Sequence, residues 1–165
     1  MMEMMKMFLS DPMKSEKRSF NPDFETKEQL EIEKEVAEYI QKTSPLICHK
    51  LPPREILDFC MVEDEVVRGF CEVRSRNCRW SLIEQGGFYL PLKKLLRIHA
   101  IHRINQIKTS LVVVCKDHAY RTWLGSHDDF EVIWWGDRRN DKSHDIEACV
   151  VIPGFFFKPF YSRIS

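Results

Sequence analysis

The chain has 165 residues, 44% of them hydrophobic, 12% aromatic and 30% charged, with 25 basic side chains against 25 acidic ones and a formal net charge of zero. A chain of this length can bury one real core, and its aromatic content and neutrality exclude a mainly disordered protein. No apolar run approaches the roughly 20 residues of a membrane-spanning helix, and overall neutrality gives no hint of a polyanionic partner.

Five of the first seven residues are methionine, but Glu3 and Lys6 interrupt them, which is not the continuous apolar stretch of a signal peptide. Residues 1–22 read as a mobile tail ending at Asn21-Pro22, and residues 23–165 as a single domain. Residues 25–42 predict a helix, with Thr26 as its cap, Gln29 three residues on, and Ile32, Val36, Ala37 and Ile40 at helical spacing. Glu33 falls on that same stripe, so it either faces inward or sits at the border and reaches water, while Glu31, Glu35 and Glu38 form a solvated face. Thr43-Ser44-Pro45 ends the helix.

After Pro52-Pro53, two β-runs around Glu63-Asp64-Glu65 predict a hairpin. On its second strand the period of two puts Phe70, Glu72 and Arg74 on one face and Cys71 and Val73 on the other, with Asp58 on the partner strand nearby. An exposed surface ion pair is the plainer reading of Glu72 and Arg74, and the flanking apolar residues argue against it. Gly86-Gly87 marks a loop, Pro91 opens a helix running to about residue 105, and residues 111–115 form an apolar run suited to a strand buried on both faces and reached by a crossover from a parallel neighbour. Residues 120–124 and 130–135 predict a further hairpin around 125–129, a polar loop spans 137–145, and 146–152 is a last strand. Phe155-Phe156-Phe157 suits core packing or a partner surface, core being the plainer choice.

Six cysteines without a C-x-x-C pair read as reduced, mostly buried thiols of an intracellular protein. Cys48-His49 and the His99/His102 pair are the nearest approach to a zinc motif, and lacking further ligands they read as ordinary histidines on a basic helix. Charge is unevenly spread. Residues 68–116 hold ten basic residues against Glu72 and Glu84, a local +8 balanced by −8 elsewhere. Such a segment suits a phosphate-binding face contributed by Arg76, Arg79, Lys93 and Arg97, with Trp80 placed to stack on a base, unless folding interleaves it with acidic segments.

Asp58, followed after thirteen residues by Glu72-Val73-Arg74 and then by Lys94 on the next helix and the buried run 111–115, resembles the PD-(D/E)xK nuclease superfamily, in the variety found in small phage-encoded proteins. The resemblance covers roughly residues 28–160. It implies an α/β, restriction-endonuclease-like fold: a mixed central sheet flanked by helices, in the order helix, three-strand meander, helix, strand. It further implies a Mg²⁺ (or Mn²⁺) site held by Asp58, Glu72, the carbonyl of Val73 and a first-helix glutamate, Glu33 or, as second choice, Glu35.

The departure is Arg74 where the family pattern has lysine. Arginine stays protonated and cannot act as a base, though it can steady charge on a phosphate. Either Arg74 substitutes, or Lys94 supplies the ammonium, or catalysis is lost and the fold is kept for binding. The resemblance therefore implies a metal-dependent nuclease acting on DNA, with a non-catalytic protein that binds nucleic acid or a protein partner as the alternative. A third possibility is an unrelated α/β domain in which the Asp58–Glu72 spacing is chance.

Overall fold

The computed structural model describes residues 26–53, 55–125, 129–135 and 146–163. The expected tail 1–22 and loop 137–145 lie outside the described residues.

Helix α1 (Lys27–Thr43) opens at Thr26, whose hydroxyl accepts the Gln29 backbone N–H at 3.2 Å. Ile32, Val36 and Ile40 bury its apolar stripe, and Glu33 is buried with them instead of reaching water. Strands β1 (Ile47–Lys50), β2 (Phe59–Glu63) and β3 (Val66–Ser75) form an antiparallel meander. Asp64 and Glu65, with φ of 50° and 62°, both adopt the left-handed conformation in the two-residue turn between β2 and β3. That turn's twist matches the strands it joins.

A short helix α2 (Trp80–Gly86) and strand β4 (Phe88–Pro91) lead into α3 (Leu92–Asn105). The chain then enters β5 (Thr109–Val114), which pairs parallel with β3, as a helical crossover requires. All six β5 residues are buried. Leu111 and Val113 face α2 and α3, and Val112 and Val114 face α1. Burial of each such side chain stabilises the fold by about 1.5–3 kcal/mol, which makes this strand the energetic spine of the sheet.

Strand β6 (His118–Leu124) follows, then β7 (Glu131–Trp135), β8 (Glu147–Ile152), a 3₁₀ turn (Gly154–Phe156) and β9 (Lys158–Ser162). The six-stranded mixed sheet has the order β1-β2-β3-β5-β6-β9, and a second, three-stranded sheet has the order β4-β8-β7. Both sheets contribute to one apolar core, where Phe88, Leu90, Val150 and Ile152 meet Leu111, Val113 and Leu124. This is the restriction-endonuclease-like architecture that the resemblance implies: a mixed sheet between α1 on one side and α2 and α3 on the other.

Four expectations fail, the last of them in part. Residues 120–124 and 130–135 do not form a hairpin, because a tight turn closed by Cys115 N–H on His118 O (2.9 Å) folds β6 back onto β5. Strand β9 then takes β6's other edge, which leaves β7 to pair with β8 in the other sheet. Strand β8 is consequently not the last. Trp80 is not available to stack on a base: it is buried and stacked on Tyr120, with ring centroids 3.7 Å apart and planes within 9°. The aromatic run 155–157 divides, with Phe157 in the core and Phe155 and Phe156 exposed. All six cysteines are free thiols, three of them buried.

Candidate active site

Asp58 immediately precedes β2 and is locked against β3. Its backbone N–H donates to Cys71 O at 3.0 Å, and its Oδ2 accepts the Val73 N–H at 2.7 Å. This brings Asp58 beside the segment 72–74. Glu72 is buried by the α3 side of the sheet, where the alternation along β3 sends it together with Arg74. The surface-ion-pair reading of these two is therefore wrong for Glu72.

Lys94 Nζ reaches from the first turn of α3 to within 2.5 Å of Glu72 Oε1. Arg74 Nε lies 2.7 Å from the same oxygen, off the direction of a hydrogen bond. Both cations thus converge on Oε1, while Oε2 is buried with no hydrogen-bond partner among the described residues. Burial pushes the Glu72 carboxyl up to about 7, and the nearby negative charge of Asp58 adds to this, against the opposing pull of Arg74 and Lys94. Burial, more than any neighbour, lowers the pKa of Lys94.

A second lysine, which the motif did not mark, joins the group. Lys50, at the end of β1, forms an ion pair with the buried Glu33 of α1 and lies 3.8 Å from Asp58 Oδ1. Glu33 also accepts from Gln29 Nε2 at 3.4 Å. Lys50 was illegible because β1 is a four-residue strand with no clear alternation, so nothing in the pattern indicated where its end would lie. Glu35, the second-choice ligand, instead pairs with Arg163 at 3.2 Å near the surface.

Arg74, Lys93, Lys94 and Arg97 line one cleft of about 550 Å³, together with Glu55, Ile56, Pro91 and Glu147. Lys93 is held there by Glu147 at 2.9 Å. Arg76 faces a different cavity and lies over the Phe88 ring at 4.6 Å, and Arg79 is exposed at the N-cap of α2. The structure therefore gathers four of the basic candidates in the cleft and leaves Arg76 and Arg79 off its lining. His102 is buried, and among the described residues no group of three or more His, Cys, Asp or Glu side chains is arranged to hold a metal ion. No described helix is long and apolar enough to cross a membrane.

This mixed sheet between helices is a restriction-endonuclease-like fold, the class to which PD-(D/E)xK nucleases belong. Residues 19–160 match the family model described as "Phage putative PDDEXK endonuclease", and the chain belongs to that family. No curated protein and no solved structure matches it.

Proposed function

We propose that the protein is a divalent-metal-dependent deoxyribonuclease whose reaction centre is Asp58, Glu72 and Lys94. The observation that carries this reading is the buried, unpartnered Oε2 of Glu72, in a carboxylate raised by burial and by the charge of Asp58. Two hard carboxylates beside one another suit Mg²⁺ or Mn²⁺, so the donor set fits the ion the family pattern implies. Asp58, Glu72 and the Val73 carbonyl would hold it, and when bound it supplies a water of lowered pKa and positive charge opposite the scissile phosphate. Lys50 and Lys94 now lie against these carboxylates as cations, and Lys50 is exposed enough to move aside.

The roles of the chain's own groups follow from chemistry. Lys94, its pKa lowered by burial, can hold or release a proton close to Glu72, which Arg74 cannot do. Arg74 remains a fixed charge that steadies phosphate oxygens. Glu33 acts through Lys50, positioning it beside Asp58. Lys93 and Arg97, in the cleft that Lys94 lines, bind the backbone of the nucleic acid.

One observation favours the second reading, a non-catalytic DNA-binding protein: cations already neutralise Asp58, Glu72 and Glu33. The test is cleavage of linear and single-stranded DNA by the purified chain with Mg²⁺ or Mn²⁺. Wild type should release product and Glu72→Ala should not. Salt-sensitive binding without product would select the second reading, and equal product from both proteins would defeat the first.

A further inference from the structure

The three-stranded sheet divides its side chains sharply between two faces. Phe88, Leu90, Val150 and Ile152 enter the core, so Tyr89, Pro91 and Glu147 belong to the opposite face. Trp135 pairs in register with Glu147 and shares that face, whereas Trp134 pairs with Ala148 and points the other way. Trp135 stacks flat on Tyr89, ring centroids 4.5 Å apart and planes within 7°, yet it is 53% exposed. One face of the indole is thus fixed by Tyr89 and the other is open. Pro91 and Glu147, on that same sheet face, line the cleft into which Arg74, Lys94 and Arg97 project.

We propose, on the nuclease reading above, that the Tyr89–Trp135 pair is a base-stacking platform that selects single-stranded DNA for the cationic cleft. Every base has a π face, so stacking is tolerant of sequence. Inside a duplex both faces of each base are already covered, and only an unpaired base can present one to Trp135. A platform pre-stacked on Tyr89 needs little ordering when a base arrives. The cleft beside it carries Arg74, Lys93, Lys94 and Arg97 against Glu55 and Glu147, a positive balance that suits a phosphate backbone even with Lys93 paired to Glu147 and with Arg74 and Lys94 sharing Glu72. The base therefore anchors on the sheet while the adjoining phosphate lies toward Glu72.

The test is fluorescence anisotropy of the full chain with a labelled single-stranded oligonucleotide and with the blunt duplex of the same sequence, Ca²⁺ replacing Mg²⁺. Wild type should prefer the single strand. Trp135→Ala should weaken single-strand binding by about tenfold and duplex binding by less than about twofold. Trp135→Phe, which keeps a π face, should bind the single strand much as wild type does, and Trp134→Ala should match wild type on both DNAs. A wild-type preference for duplex overturns the proposal. So does equal loss on both DNAs, no loss at all from Trp135→Ala, a Trp135→Phe protein as weak as the alanine variant, or a Trp134→Ala protein as weak on the single strand. Cleavage with Mg²⁺ is read separately. DNA cut by wild type with no effect of Trp135→Ala on binding defeats the platform alone; Trp135-dependent binding without cutting supports the platform and defeats the nuclease; neither binding nor cutting defeats both.

Discussion

Lys94 of α3 and Glu72 of β3, twenty-two residues apart in the chain, meet at 2.5 Å on the buried side of the central sheet. Their contact places an ammonium beside Glu72, whose other cationic neighbour is Arg74. If Lys94 has taken over the proton-handling role, Lys94→Met should lower single-turnover DNA cleavage by about a hundredfold or more. Arg74→Lys should keep activity within about tenfold of wild type, since a charge remains there and Lys94 is untouched. The comparison is made at saturating protein with Mg²⁺. Loss of activity in Arg74→Lys together with retention in Lys94→Met would reverse the assignment.

Glu72 also makes stability depend on pH. Its carboxyl is raised from 4.5 to about 7, chiefly by burial. Between those values the folded chain holds a proton that the unfolded chain has released, so this group's contribution is full below about 4.5 and is lost as pH rises through 7. Denaturation of wild type at pH 5 and pH 8 should differ by about 2–3 kcal/mol more than that of Glu72→Gln, whose side chain cannot titrate. Parallel curves for the two proteins would show that Glu72 is not the group responsible.

Gly154 controls how the second sheet is seated. A Cβ at this position would lie 2.6 Å from Glu84 Cα and 2.9 Å from Glu84 O, which are backbone atoms of α2 and cannot turn aside. Gly154→Ala should therefore push the 3₁₀ turn away from α2 and destabilise the protein by about 1–3 kcal/mol. Gly69→Ala is the informative comparison. Its new Cβ meets the flexible Met61 terminus, so thermal melting should show a smaller loss.

Much of the scaffold is legible in residue order because its cues are local. Thr26 and the Ile32–Val36–Ile40 spacing specify α1, and the unbroken apolar residues 111–114 specify a strand covered on both faces. Alternation along β3 already sends Glu72 and Arg74 one way and Cys71 and Val73 the other. The partner of β7 was not legible, because strands of similar composition compete for an edge and the tight turn at 115–117 decides which reaches β5 first.

By itself, then, the sequence determined the helix–meander–helix–strand order and the family to which the chain belongs, and it nominated Asp58, Glu72 and Arg74 as candidate site residues. Only the tertiary structure decided which cations face those carboxylates. Lys94 and Lys50 arrive from α3 and from the end of β1, brought in by core packing and strand register, which no short window of sequence encodes. It likewise removed Trp80 to the core and brought forward Trp135, because exposure depends on which neighbours cover a ring and not on the ring itself.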